Sequence, residues 1–211
     1  MRTQNFRIPE GLDHFDATSL FDQKHANARD ELVNILEAHR ASFEQDGTFD
    51  PEKLGFTPHE EGSYGRTYIS PCRRFVIRIS LKNDDEAHSV YTALALKHQR
   101  NPFFPKVYAH LTCGNRSLVL MEKLKTLADA MGDYCEDDYR FVSELRDRMN
   151  MGLRIPQNKR NRHPAGYAQW LEAVLNMGEY HDLMADISAQ NVMVRIDHRG
   201  NRQHVITDPF V

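Results

Sequence analysis

The sequence predicts an α+β fold in two lobes. Residues 54–122 carry five short apolar runs separated by turn-forming residues, with one helical stretch after the third run. That pattern reads as a five-stranded antiparallel lobe with a single helix. From residue 136 onward the apolar positions recur at helical spacing, and the chain closes on two apolar runs with polar outer ends. The second lobe, 123–211, is therefore reduced and mostly helical. Residues 1–53 form an N-terminal helical extension. A chain of 211 residues is long enough to bury a real core, as one domain or two small lobes.

In the extension, a helix is predicted from about Asp22 to His39. Leu32, Ile35, Leu36 and His39 recur on one face. Gly47 and Pro51 punctuate the chain after it. No chemical motif lies here, and the helix reads as a packing brace.

The first three strands are LGFTPHEEG (54–62), RTYIS (66–70) and FVIRIS (75–80). The bend between the first two is Gly62-Ser63-Tyr64-Gly65. Its glycines let backbone amides approach a phosphate, or simply make a tight turn. In the third strand Arg78 is a single charge inside an apolar run, a position that asks for a partner. It either holds the α and β phosphates of a nucleotide, pairs with an acid, or points to solvent. A helix over 83–99 follows, with Asn83 as its cap and Asp84, Asp85 and Glu86 in its first turn. Tyr91, Leu94 and His98 share a face. An ion pair from this helix to Arg78 must use one of those three acids.

Asn101-Pro102-Phe103-Phe104-Pro105 ends that helix. Lys106–His110 and Ser117–Met121 complete the five strands, joined around Gly114-Asn115. Glu122-Lys123-Leu124 then leaves the lobe. A crossing segment of this kind offers backbone groups to an adenine edge. In the second lobe, Tyr139, Val142, Leu145 and Met149 share one face of a helix over 136–150. Residues 152–163 are polar and basic and read as a loop, either solvated or attractive to an acidic substrate. Pro164 suits the first turn of a helix over 165–176, with Tyr167, Trp170, Leu171 and Val174 inward.

Charge narrows the function. The net charge is -3, which argues against dedicated nucleic-acid binding. Residues 1–60 hold 6 Lys/Arg and 12 Asp/Glu; the remainder hold 21 and 18, so an acidic front faces a more basic body. Cys72, Cys113 and Cys135 form no metal-like spacing and fit a reducing compartment. No stretch approaches a membrane span, and the start is too polar for a signal peptide. A soluble cytosolic protein with no membrane partner is expected.

The chemistry concentrates in Met184 to Val211. Asp186 is followed five residues later by Asn191, then by the apolar run Val192-Met193-Val194. A charged turn, Asp197-His198-Arg199-Gly200-Asn201, leads to His204-Val205-Ile206-Thr207 and a further acid, Asp208. A hairpin with these ends brings Asn191 and Asp208 side by side. An amide oxygen and a carboxylate are the hard ligands that magnesium takes. Asp186 stands apart, placed to orient an incoming hydroxyl. Together they form the constellation of a phosphotransferase catalytic loop and its metal acid.

Taken in order, the pieces resemble a protein kinase over about residues 54–211. HEEGSYGRTY is similar to the phosphate loop, with Gly62 and Gly65 at the second and third glycines and Glu60 in place of the first. FVIR is similar to the strand that presents lysine, with Arg78 instead. ADISAQN is similar to the catalytic loop, with Asp186 as base and Asn191 as metal ligand. TDPF is similar to the metal-acid motif, with Asp208 matching and Pro209 next. The VYTAL, PKVY, NVMV and ITDP segments resemble the early serine/threonine protein kinases of short-tailed coliphages. His181-Asp182 imitates the opening of the catalytic loop, but Asp182 is nine residues from Asn191 and is read as a brace or cap.

The resemblance implies ATP and magnesium as cofactors and a catalytic role for Arg78 with Asp186. It also implies nucleotide contacts at Gly62, Gly65, Arg78, Glu122 and Leu124, and metal ligation by Asn191 and Asp208. Host proteins of an infected bacterium are the implied partners, and its cytoplasm the implied site of action. Arg78, Glu60, Pro209 and the stop at Val211 depart from the pattern. The alternative they suggest is a degenerate kinase-like protein that binds a host partner without phosphotransfer. A phosphotransferase for a small metabolite would share the three polar residues but wants later helices, which this chain does not reach.

Overall fold

The computed structural model describes residues 20–61, 65–80, 86–114, 116–131, 136–197 and 199–211. In chain order the elements are α1 (Leu20–Asp46), β1 (Thr57–Glu61), β2 (Gly65–Ile69), β3 (Phe75–Ser80), α2 (Glu86–Lys97), β4 (Val107–Cys113) and β5 (Arg116–Glu122). The second half holds β6 (Lys125–Thr126), α3 (Leu127–Met131), α4 (Glu136–Asn150), α5 (Tyr167–His181), β7 (Val192–Ile196) and β8 (Arg202–Ile206). The expected α+β class is the observed one. A five-stranded antiparallel sheet runs in the order β1-β2-β3-β5-β4. A three-stranded sheet, β6-β7-β8, lies in the second half.

The first sheet is covered on both faces, and β5 shows why its sequence is a continuous apolar run. Leu118 and Leu120 join Ile77, Ile79 and Leu111 in a core under Leu32, Leu36 and Phe43 of α1. Val119 and Met121 point the other way, into a second core with Tyr91, Ala95, Trp170 and Val174. Alternation of side chains along a strand dictates this split. α1 packs as a layer on this sheet, and it is longer than the sequence suggested. His39 is exposed, its Nδ1 2.8 Å from the Ile35 carbonyl oxygen; Phe43, one turn on, takes the buried place instead. Gly47 ends the helix at φ 70°, its N–H donating to the Phe43 carbonyl at 2.7 Å.

The helices of the second half differ from expectation at defined points. α4 has the predicted bounds, but Tyr139 is 71% exposed and Asp138 is buried in its stead, at 1%. The reason is a polar network: Asp138 accepts from Arg202 at 2.8 Å and meets His204 Nε2 at 2.7 Å. α5 begins at Tyr167 because Gly166 takes φ 88° against Asn101 and Pro102. It then runs past 176 to Asp182, which caps it in the left-handed region at φ 55°. The basic stretch 152–163 contains a 3-10 turn, Gln157–Arg162, where a loop was expected.

The two halves are locked by specific bonds. Tyr91 Oη of α2 donates to the Ile206 carbonyl at 2.8 Å, and Trp170 Nε1 donates to Tyr91 Oη at 3.2 Å. The Ile206 N–H donates to the Phe103 carbonyl at 3.0 Å. Arg195 of β7 bonds both carboxylate oxygens of Glu122, the Pro102 carbonyl at 2.9 Å and the Phe104 carbonyl at 3.1 Å. These contacts fix β8, and hence the residues after it, relative to the first sheet.

Candidate active site

The site grows out of the β7–β8 ladder. Its register, Val192 opposite Ile206, continues one step outward: Thr207 donates to the Asn191 carbonyl from its N–H at 2.9 Å and its hydroxyl at 3.2 Å. A second pairing follows beyond a short loop. The Asp186 N–H donates to the Pro209 carbonyl at 2.8 Å, Ala185 bridges Phe210, and the Val211 N–H donates to the Met184 carbonyl at 3.0 Å. The segment 207–211 therefore clasps the loop 186–191 at both ends. Asp208 sits between the two points of attachment.

Inside the clasp, Asn191 Nδ2 donates to the Asp186 carbonyl at 2.7 Å and to Asp186 Oδ2 at 3.2 Å. That fixes the amide, and leaves its oxygen as the acceptor end. Asp186 is exposed. Arg146 of α4 holds the loop from behind, Nε donating to the Ile187 carbonyl at 2.8 Å. Phe210 anchors the other side: a Cβ on Gly178 would lie 2.9 Å from its Cε1, so a small residue on α5 admits the ring.

Arg78 reaches this clasp from the first sheet. On β3, Phe75, Ile77 and Ile79 face the α1 core, so Val76 and Arg78 face the second half. The guanidinium lies 3.6 Å from Asp208 Oδ2, with side chains 17% and 30% exposed. Arg78 thus pairs with an acid, Asp208. Glu86, at the head of α2, is exposed. Gly65 sits over the arginine: a Cβ there would be 2.9 Å from its Cζ. Gly62, Asn83, Asp84 and Asp85 lie outside the described residues, as does the side chain of Glu60.

Glu122 and Leu124 lie at the junction of the halves. The Glu122 N–H donates to the Lys106 carbonyl at 2.9 Å and the Lys123 N–H to the Arg74 carbonyl at 2.8 Å. Glu122 Oε1 also accepts from the Lys106 N–H at 2.7 Å. The backbone donors of 122 and 123 are thus engaged in the fold, and Leu124 is half-buried between β5 and β6.

Buried titratable groups stand behind the site. His88 of α2 is held neutral, its pKa pushed well down by burial and then by the charges of Arg78 and His110. Its Nδ1 has no hydrogen-bond partner among the described residues. Burial lowers His110 to about 4. Burial opposes the charge on Arg195, but the hydrogen bond and charge of Glu122 hold its pKa above the ordinary value. The Glu122–Arg195 pair and the Asp138–Arg202–His204 network escaped the sequence reading. Arg195 did carry a signal, being a lone charge in the apolar run VMVRI, as Arg78 is in FVIRIS.

The donor chemistry suits magnesium. Asn191 Oδ1 and the Asp208 carboxylate are hard oxygens, and this ion is commonly held by one or two protein ligands with phosphate and water completing the shell. Among the described residues no group of three or more His, Cys, Asp or Glu forms an all-protein cage.

No family model and no curated protein matches the chain. Among solved structures it is similar to a medium-resolution structure of the bifunctional kinase-methyltransferase WbdD, with TM-score 0.34 and 17% identity over 70% of this chain and 30% of that one. A higher-resolution WbdD structure gives TM-score 0.35 and 16% identity over 72% and 32%. The BubR1 kinase domain gives TM-score 0.34 and 13% identity over 74% and 46%. The chain spans from about a third to just under half of the length of these structures.

Proposed function

We propose that this protein is a kinase-like phosphotransferase of the phage type, moving the ATP γ-phosphate to serine or threonine hydroxyls of host proteins in the infected cytoplasm. The observation that supports it best is the clasp: backbone pairing at both ends holds 207–211 against 184–191, the segments that carry Asp208, Asp186 and Asn191. Asp186 would accept a hydrogen bond from the acceptor hydroxyl and orient it in line. Asn191 Oδ1 and Asp208 would hold magnesium, which when bound neutralises charge on the phosphate oxygens. Arg78 would approach the phosphates from the sheet, under the bend that ends at Gly65. Leu124 would line the adenine side. Rate enhancement would come from positioning and charge neutralisation rather than from covalent chemistry. None of the described helices is long and apolar enough to cross a membrane.

The test is incubation with labelled ATP and magnesium, alone and with bacterial lysate. Label should transfer to protein, and Asp186→Ala should abolish the transfer. Equal labelling by wild type and Asp186→Ala would end the proposal.

A second reading, a kinase-like binding protein that works without phosphotransfer, is favoured by one observation: Arg78 already pairs with the metal acid. It predicts capture of a host protein that is unchanged by Asp208→Asn and by removal of nucleotide.

A further inference from the structure

We propose that Arg78 is the resident cation of Asp208, so that a divalent ion enters the site only by displacing it. This rests on the proposed metal site and adds a competition to it. Three features carry it. First, the guanidinium lies 3.6 Å from Asp208 Oδ2, on a side chain whose strand position aims it at the second half. Second, there is a built slot for this side chain. Thr67 is the register partner of Arg78, and Gly65 lies one step along the same face of β2. A Cβ at 65 would stand 2.9 Å from Cζ, 3.0 Å from Nε and 3.2 Å from Nη2. The glycine thus clears room for an arginine laid across β2, beyond any service it gives to a phosphate.

Third, α2 places a neutral imidazole close enough to Arg78 to feel its charge. His88 is buried, and its Nδ1 has no hydrogen-bond partner among the described residues. Burial and then the Arg78 and His110 charges keep it uncharged. Across the sheet, His110 is register partner to Val119, and Val119 to Arg78, so the same row continues with a second neutral imidazole. Arginine keeps its charge at any working pH, and its planar fork matches a carboxylate. It therefore cannot yield Asp208 by losing a proton, as a buried lysine can. A metal ion sharing that carboxylate competes with the guanidinium for its charge, and nucleotide phosphates are anions able to receive the arginine. The site would then be poor for metal alone and better for metal arriving with a nucleotide.

The experiment measures Mn2+ binding to the full chain at low salt, without nucleotide, from the electron paramagnetic resonance signal of the free ion. Arg78→Met should bind at least about tenfold more tightly than wild type, a shift of about 1.4 kcal/mol. The gain should vanish in Arg78→Met with Asp208→Asn. Equal or weaker binding by Arg78→Met, no binding by either protein, or a gain that survives Asp208→Asn would overturn the proposal. Circular dichroism checks the fold. If Arg78→Met does not fold, Arg78→Lys replaces it: the shorter cation should give a smaller gain, and wild-type affinity would overturn the idea. Because ATP and acceptor are absent, a failure of phosphotransfer does not alter these outcomes. A failed competition leaves the kinase assay to be judged by itself.

Discussion

Replacing Arg195 with methionine should be among the most damaging single changes in the molecule. Arg195 and Glu122 are 18% and 13% exposed at the side chain, so water does little to screen either charge. The arginine bonds both carboxylate oxygens and ties in the Pro102 and Phe104 carbonyls. Methionine keeps the apolar stem but leaves the Glu122 carboxylate buried without its counter-charge. Breaking one side of a buried pair costs about 3–5 kcal/mol, most of it the price of the stranded charge. Glu122→Gln should cost less, because its amide oxygen can still accept from the Lys106 N–H and Arg195 keeps its bonds to the two carbonyls. The double variant should recover part of the loss, giving a coupling of more than about 1 kcal/mol. Urea unfolding followed by circular dichroism measures all three free energies. A loss below about 1 kcal/mol for Arg195→Met would place this pair with ordinary surface ion pairs, and the view that it joins the two halves would be wrong.

Other expectations follow from the same geometry. Gly178→Ala should destabilise by about 1–3 kcal/mol despite the better helix propensity of alanine, because its Cβ would meet Phe210 Cε1 at 2.9 Å; faster amide exchange at Asp186 would show the clasp loosening, and a stabilised protein would refute the contact. Tyr91→Phe removes the bond to the Ile206 carbonyl and the acceptor of Trp170, costing about 1–3 kcal/mol in the same unfolding assay; no change would show that the bond carries no stability. Acidification should weaken the fold through His110, whose folded pKa of about 4 is below its ordinary 6.5 because of burial. The unfolded chain takes up that proton first, so this contribution is complete above about pH 6.5 and falls away toward pH 4, amounting to about 3 kcal/mol at most. His110→Phe should flatten the slope of stability against pH in that window, and an unchanged slope would exclude the residue.

Much of this arrangement is legible in the sequence, and the failures have physical causes. The strand runs are short, apolar and bounded by turns, so each is recognisable alone. β5 is apolar throughout because it has a core on both faces. The hairpin that runs from Asn191 to Asp208 is local, and local pattern suffices for it. The far end of α1 was harder: between Glu37 and Asp46 the buried apolar side chain is Phe43, too little for periodicity to register. Asp138 displaced Tyr139 from the expected face because its partners Arg202 and His204 lie more than sixty positions away. β6 spans two residues and exists by pairing with β7, which no local signal announces. Arg195 was visible as an anomaly, but its acid is 73 positions distant.

The position of the site then follows from where the chain spends its backbone bonds. The side chains of Asp186, Asn191 and Asp208 are short and polar, and such groups stay in place when the backbone beneath them does. Here the backbone is held by the Thr207–Asn191 and Pro209–Asp186 bonds on either side of Asp208. That clasp is in turn fixed by Phe210 against α5, by Arg146 beneath Ile187, and by Tyr91 and Phe103 on Ile206. Every one of these restraints is made by the protein itself. The backbone beneath the three polar residues is accordingly held by the fold itself, the kind of preorganisation that the proposed function would require. Arg78 differs from them: a long side chain on the opposite half, it meets the clasp in an ion pair with Asp208 at 3.6 Å. On the proposed function, it is the long, flexible member of the group, and the choice between binding and turnover would be decided there.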